Sequence, residues 1–306
     1  MKGTQLSNIS IEFSEESLIL LNVCLGVIMF GIALGIRPND FKKLMQFPRS
    51  AMAGVLSQFL ILPALTFLVV IALKPQPAIA LGMILVAACP GGNISNFISS
   101  ISGANVSLSV GLTGIATLLT PILTPINFDV WASLYPGTDF LLKTFSISFL
   151  DILQTILLLL IIPLILGMTC RAKLPKLAQT IEKPIRLLSI VILFGFIAVA
   201  LAKNFEAFKT YLGIVFLIVL LHNAIAFTSG YLTAYLFKVP VPDRRSICVE
   251  TGIQNSGLGL IIIFTFFNGN GGMALVAAWW GIWHIIAGLT LSQAFKLIDK
   301  KKLRSV

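Results

Sequence analysis

Oxygen-bearing side chains of the kind that bind a hard monovalent cation recur in a chain that is otherwise apolar. Glu250 is the most informative of them, because a carboxylate inside an apolar helix costs about 3 kcal/mol to insert into a bilayer and normally has a partner. No Lys or Arg lies in the apolar segment around it, residues 246–267. The partners that remain are a bound cation, a proton or the amides of a helix end.

Neutral oxygen donors lie in other apolar segments. Ser109 and Thr113 are spaced i and i+4, so both hydroxyls fall on one face of a helix. Gln58 adds an amide in an earlier segment. Hydroxyl, amide and carboxylate oxygens are the ligands that hard cations prefer, so this set fits sodium. A protonated Glu250 that is hydrogen-bonded inside the core is the alternative.

Two short polar breaks carry the rest of the candidate ligands. They read Cys-Pro-Gly-Gly-Asn-Ile-Ser-Asn at 89–96 and Glu-Thr-Gly-Ile-Gln-Asn-Ser-Gly at 250–257. Pro90 lacks an amide donor, so we expect a helix to stop near Cys89 and to restart near Ile94. At the second break, Gly252 and Gly257 bracket four residues. Non-helical backbone is tolerated at membrane depth only where protein or a water-filled cavity covers it.

Two such breaks in corresponding halves of a chain are typical of secondary transporters. If the two broken helices cross at their breaks, both polar clusters come together at mid-membrane. The alternative is a pair of packing kinks whose Ser and Asn side chains bond across helices.

Composition places the chain in a membrane. Of its 306 residues, 57% are hydrophobic and 11% are charged, and the mean hydropathy is +0.96. These values exclude a typical soluble domain. The net charge of +10 does not indicate a nucleic-acid partner, because the basic residues lie in the gaps between apolar runs. Runs long enough to cross a bilayer lie near 17–36, 50–73, 78–102, 106–128, 145–169, 186–202, 211–237, 246–267 and 273–295.

The basic residues predict the orientation. With the first residues outside, the interior segments hold 17 of the 22 Lys and Arg. Positive loops stay on the cytoplasmic side, so we expect a multi-pass protein of the cell (inner) membrane with its amino terminus outside and its carboxyl terminus in the cytoplasm. Three Glu residues precede the first apolar run, so the first helix is expected to be retained rather than cleaved as a signal.

Several motifs resemble those of the bile acid:sodium symporter family. Besides the two breaks, they are Gly-Val-Leu-Ser-Gln-Phe-Leu-Ile-Leu-Pro at 54–63, Asn-Val-Ser-Leu-Ser at 105–109, Thr-Pro-Ile-Leu-Thr-Pro at 120–125, Leu-His-Asn at 221–223 and Trp-His at 283–284. The resemblance implies an all-α membrane fold of about nine transmembrane helices, with an inverted repeat and two crossed discontinuous helices. It also implies two sodium ions behind the crossover.

The resemblance also divides the chain and assigns ligands. The external segment would be 1–16, and the transporter domain 17–295 would have its core at about 50–128 and 211–295, its panel at about 17–36 and 145–202, and a cytoplasmic tail at 296–306. The implied ligands of the first sodium are Ser95, Asn96, Ser109, Thr113 and Glu250. Those of the second are Gln58, Glu250 and Gln254, with the backbone carbonyls of Thr251 and Ile253.

Substrate contacts are harder to assign, because the chain departs from the family at Asn93 and at Ile285. Asn93 and Asn255 are candidate substrate contacts, although either could instead satisfy backbone at a break. His222 and His284 are expected to bond neighbouring helices rather than a metal, since neither has a partner ligand at metal-binding spacing.

The sequence therefore predicts a sodium-coupled symporter that moves an amphipathic organic anion, such as a bile acid or a sterol-like compound, by alternating access. The first alternative is a proton-coupled exchanger or a symporter of another small organic acid, such as a pantothenate-like or keto acid. A membrane-embedded enzyme or sensor is the distant alternative, because the chain shows no nucleophile and base pair. The expected partners are sodium, a small organic anion and the lipid bilayer.

Overall fold

The computed structural model describes residues 15–36, 44–92, 94–136, 149–203 and 205–304. These residues are almost entirely helical, and Gly91 and Gln254 pair in an isolated β-bridge. The helices are α1 (Glu15–Gly35), α2 (Pro48–Leu73), α3 (Pro77–Ala88), α4 (Ile94–Ile101), α5 (Val106–Ser133), α6 (Phe149–Lys173), α7 (Pro175–Lys203), α8 (Phe205–Leu236), α9 (Val241–Gly252), α10 (Ser256–Phe266) and α11 (Gly271–Arg304).

Four of these helices are long and apolar enough to cross a membrane by themselves. They are Pro48–Leu73, Val106–Ser133, Gly213–Leu236 within α8 and Gly271–Lys301 within α11. The all-helical membrane fold expected from the sequence is confirmed at this level. The count of nine crossings and the division into core and panel stay predictions.

Both breaks interrupt helices where the motifs stand. α3 ends at Ala88, Cys89 is extended with φ −70° and ψ 156°, and α4 begins at Ile94, which confirms the expected stop and restart. α9 ends at Gly252, and Ile253 is extended with φ −104° and ψ 96°. The second break is shorter than its motif predicts, because α10 already begins at Ser256.

A large apolar cluster surrounds one half of each broken helix. α3 is buried from Ala78 to Ala88, and α10 is buried along almost its whole length. Both halves pack with the start of α11, where a Cβ at Gly82 would lie 3.0 Å from the Cα of Met273. Because this side of the crossover is dry and closely packed, it fixes the ends of α3 and α10 that face the breaks.

The other two halves, α4 and α9, are more polar. α9 buries Asp243, Arg245 and Glu250. Asp243 accepts hydrogen bonds from Ser50 Oγ at 2.5 Å and from Asn105 Nδ2 at 2.9 Å. Arg245 forms two bonds to the Asp299 carboxylate, at 2.7 and 2.6 Å. These bonds tie α9 to α2, α11 and the start of α5.

A wide turn in α2 carries Gln58. Residues Ser57–Ile61 form a π-helical turn, in which the Leu62 N–H donates to the Ser57 carbonyl. Pro63 follows directly and cannot donate to the carbonyl four residues before it, which favours the irregular turn. Such single π turns occur frequently at functional sites.

Candidate functional site

The two breaks meet as a pair of antiparallel extended peptides. Gly91 and Gln254 lie opposite each other in the isolated bridge. The Gly92 N–H donates to the Ile253 carbonyl at 2.8 Å, and the Asn255 N–H donates to the Pro90 carbonyl, also at 2.8 Å. The two broken helices therefore cross at their breaks, as the sequence predicts, and each supplies backbone partners to the other.

Glycine is needed at the crossing because there is no room for a side chain. A Cβ at Gly91 would lie 2.8 Å from Glu250 Cδ, and one at Gly92 would lie 3.2 Å from the Gln254 carbonyl oxygen. The close approach of the two backbones thus depends on residues without a Cβ.

Glu250 lies at the centre of a first cluster. Its carboxylate accepts from Ser95 Oγ at 2.6 Å, from Thr113 Oγ1 at 2.8 Å and from Ser109 Oγ at 3.5 Å. Asn96 Oδ1 accepts from Ser109 Oγ at 2.9 Å and from Thr113 Oγ1 at 3.3 Å. All five residues predicted for the first sodium are therefore in one hydrogen-bonded network, and three helices supply them.

The first cluster is buried and has no cationic side chain. Glu250 is 3% exposed, and Ser95 and Ser109 are fully buried. Among the described residues, the salt bridges join Arg171 to Glu182 and Arg245 to Asp299, so neither neutralises Glu250. Each hydroxyl that donates to the carboxylate keeps two lone pairs, so the same groups can coordinate a cation beside it.

Gln58, Thr251 and Gln254 form a second cluster behind the bridge. Gln58 Nε2 donates to Gln254 Oε1 at 2.9 Å, and Gln254 Nε2 donates to Gln58 Oε1 at 3.1 Å. Gln254 Nε2 also donates to the Thr251 carbonyl at 2.7 Å. The structure thus brings these three predicted residues together, and the fourth, Ile253, directs its carbonyl to Gly92.

Glu250 precedes Thr251 of the second cluster in the chain, but its carboxylate does not bond to that cluster among the described residues. The carboxylate instead accepts its hydrogen bonds from hydroxyls of the first cluster. The role of Glu250 as a ligand shared with the second sodium stays a prediction.

The two candidate substrate contacts differ in what the structure describes. Asn93 lies outside the described residues. Asn255 is half-buried, and its Oδ1 accepts from the Leu258 N–H at 3.1 Å, so it caps the start of α10. This is the backbone role that the sequence left open for it.

The histidines lie in the helix packing. His222 Nε2 lies 2.7 Å from Thr66 Oγ1, which confirms the expected bond between neighbouring helices. His284 is buried, and its Nδ1 has no hydrogen-bond partner among the described residues.

Two residues at the breaks were not predicted. Thr124 Oγ1 donates to the Ala88 carbonyl at 2.7 Å, and Asn223 Nδ2 donates to the Gly252 carbonyl at 2.7 Å. Both cover carbonyls that an interrupted helix leaves without an amide donor. Thr124 and Asn223 lie in the motifs at 120–125 and 221–223, but the sequence does not show which carbonyls they contact.

Comparison with known proteins agrees with this geometry. The family model described as the Sodium Bile acid symporter family matches residues 22–211. The chain belongs to this family. Its members are transporters, so the chain is a membrane transporter and not an enzyme.

Relatives extend the match over both breaks. The chain is 32% identical over 286 residues to the uncharacterized sodium-dependent transporter YocS of Bacillus subtilis (strain 168), with 92% of this chain and 84% of the relative covered. It is 29% identical to the probable sodium/metabolite cotransporter BASS1, chloroplastic, of Arabidopsis thaliana, with 92% and 68% covered. It is 30% identical to the sodium/bile acid cotransporter 4 of Homo sapiens, with 79% and 56% covered. An alignment over 92% of the chain necessarily includes residues 89–96 and 250–257.

Proposed function

We propose that this transporter is a sodium-coupled symporter of an amphipathic organic anion and that it works by alternating access. The observation that carries the proposal is the first cluster, in which three hydroxyls and an amide oxygen converge with a buried carboxylate that has no cationic partner among the described residues. Oxygen ligands and one negative charge are what a hard monovalent cation requires. The name of the Bacillus relative, a sodium-dependent transporter, supports the same cation.

The second cluster supports a second, different sodium site. Its two glutamine amides bond to each other, and each Oε1 keeps one lone pair that an ion can use. The first cluster also contains the carboxylate, whose negative charge attracts a cation more strongly than neutral oxygens do. We therefore propose that the first site fills before the second.

The outer face of α4 supports an apolar body in the substrate. Phe97 is 59% exposed and Ile94 is 38% exposed, whereas the opposite face of this helix buries Ser95 and Ser99. Half-buried Asn96 lies between these two faces. An apolar surface next to polar groups at a helix break suits an amphipathic anion, which has one part for each.

Two sodium ions and one monovalent anion carry one net positive charge. Inward movement then gains about 2.3 kcal/mol for each 100 mV of membrane potential, in addition to the sodium gradient. We propose that the amino terminus faces the outside and the tail faces the cytoplasm, so that the negative interior drives uptake.

The test is uptake of labelled organic anions by purified protein in liposomes. Sodium and potassium gradients are compared at several fixed pH values, with and without an imposed negative interior. We expect uptake only with sodium, a stimulation by the negative interior, and recovery of the solute unchanged. Uptake driven by a proton gradient without sodium would establish the proton-coupled alternative instead.

A further inference from the structure

The crossover has an approximate two-fold symmetry that relates the ends of α3 and α9. The reciprocal hydrogen bonds from Gly92 to Ile253 and from Asn255 to Pro90 are equivalent under this symmetry. The same symmetry makes the carbonyl of Cys89 equivalent to the carbonyl of Gly252. Each of these carbonyls lies at the end of a half-helix, where no helical amide follows to donate to it.

A buried side-chain amide covers each of the two carbonyls. Gln58 Nε2 of α2 donates to Cys89 O at 2.8 Å, and Asn223 Nδ2 of α8 donates to Gly252 O at 2.7 Å. Gln58 is 2% exposed and Asn223 is fully buried. Gln58 already belongs to the second cluster, whereas Asn223 has no place in either cluster.

We propose that Asn223 is a positioning residue for the sodium site. It holds the end of α9 two residues beyond Glu250, and it thereby sets the position of the carboxylate without touching ion or substrate. This inference rests on the proposed function, because it assumes that Glu250 binds sodium.

The packing of α8 on α9 supports a fixed position for this end. A Cβ at Gly230 of α8 would lie 2.8 Å from the Ile247 carbonyl oxygen and 2.9 Å from the Cys248 Cα. Gly252 in turn has no space for a side chain, because a Cβ there would contact the Phe227 ring. With the helices this close, the Asn223 amide reaches the end of α9 directly.

The Asn223 side chain donates a hydrogen bond through Nδ2, but its Oδ1 accepts none among the described residues. This Oδ1 atom is buried. A side chain kept for packing alone would be apolar here, because a buried polar atom without a partner is destabilising. The donation to Gly252 is therefore the property that the amide provides.

The test compares Asn223→Leu and Asn223→Gln with Thr66→Val. The Leu variant keeps the volume and removes the donor, and the Gln variant restores an amide on a longer side chain. Thr66→Val is the matched control, because it breaks the buried bond from Thr66 of α2 to His222, the residue before Asn223 on α8, and this bond does not involve α9. The readouts are the sodium concentration for half-maximal uptake, the maximal uptake, and the sodium-dependent shift in melting temperature of purified protein.

We expect Asn223→Leu to raise the half-maximal sodium concentration by about tenfold, the equivalent of one lost hydrogen bond, with maximal uptake changed by less than about twofold. Asn223→Gln should recover part of the affinity, and Thr66→Val should leave it unchanged. An unchanged sodium affinity in Asn223→Leu, or an equal loss in Thr66→Val, would overturn the positioning role. If Asn223→Leu does not fold, wild-type sodium affinity in a folded Asn223→Ser variant, whose hydroxyl is too short to reach Gly252, would overturn it too. A wild-type protein without any sodium response would instead overturn the proposed function itself.

Discussion

The first break, between α3 and α4, contributes neutral residues at 89–96, whereas the second, between α9 and α10, lies directly after the Glu250 carboxylate. Their backbones are nearly equivalent, with an extended residue after each first half-helix and reciprocal bonds across the crossing. Under the two-fold symmetry of the crossover, the position equivalent to Glu250 is Ala87, which is buried in the apolar cluster. The backbone is thus symmetric and the charge is not.

The comparison shows that the backbone groups that form the crossover are distinct from the charged group that would bind a cation there. Reciprocal backbone hydrogen bonds and small residues require no particular side-chain chemistry, so both broken helices can supply them. A single carboxylate balances one monovalent cation. Under the proposed function, the second sodium leaves one positive charge without a counter-charge in the protein, and the anionic substrate supplies it. Coupling between sodium and substrate then follows from charge as well as from shape.

The largest effect is expected from removing the charge. Glu250→Ala should abolish sodium-dependent uptake, because it deletes the only carboxylate of the two clusters, while membrane insertion becomes easier by about 3 kcal/mol. Uptake is measured in liposomes at matched protein amounts. Glu250→Gln is the control for shape, and it should also lose uptake while it keeps hydrogen bonds to Ser95 and Thr113. Normal uptake by either well-inserted variant would rule out Glu250 as an ion ligand.

A substitution at Gly91 tests whether the close approach of the two backbones is needed. Gly91→Ala places a methyl group against Glu250, and overpacking of this kind costs about 1–3 kcal/mol, so we expect uptake to fall by at least about fivefold. Gly213→Ala is the matched control, because no described atom lies within 4 Å of the Cβ position there. The measurement is sodium-dependent uptake together with the melting temperature of each variant. Equal activity of the two variants would mean that the crossing tolerates a side chain.

The sequence predicts the first break and one face of the first cluster, because both depend on neighbouring residues in the chain. Pro90 and the glycines after it cannot continue a helix, so the first break was predicted to within a residue. Ser109 and Thr113 share a helical face by spacing alone, and the structure directs both to Glu250. These inferences needed only periodicity and backbone chemistry.

Other features depend on contacts between distant parts of the chain. The helix α10 begins at Ser256, before Gly257, because the Asn255 side chain caps its first turn. The donation from Asn223 to Gly252 depends on how closely α8 approaches α9, which no pattern in α8 reveals. Pairing of Gln58 with Gln254 depends on a π turn in one helix and a break in another. Such contacts require the three-dimensional structure.

Smaller effects are expected from the neutral ligands. Gln58→Ala and Thr113→Ala should each weaken sodium binding by about 1–3 kcal/mol, the cost of leaving a buried polar partner unsatisfied. The measurement is a sodium titration of uptake or of thermal stability. Unchanged titrations in both variants would show that these helices do not supply ion ligands.

A double-mutant cycle then asks whether the two clusters are separate. Gln58 and Gln254 bond to each other, so the combined Gln58→Ala and Gln254→Ala variant should be non-additive by at least about 0.5 kcal/mol. Gln58→Ala combined with Thr113→Ala should be closer to additive, because no hydrogen bond joins these residues in the structure described. Strong coupling in the second pair would indicate a single merged site.

The smallest effect is expected on the exposed side of the first break, where α4 differs from the buried α9. Phe97→Ala removes an exposed ring from α4, and a ring that a bound ligand partly covers contributes about 1 kcal/mol. The apparent affinity for bulky amphipathic anions should therefore fall by about fivefold, while that for small hydrophilic anions stays the same, because only the former reach the apolar face. Leu68→Ala on α2 is the control, since Leu68 is 58% exposed and lies ten residues beyond Gln58. Competition of unlabelled anions against one labelled substrate gives the ratio directly. A uniform loss across all anions would place Phe97 in the packing of α4, and no loss would assign its exposed ring to the lipid.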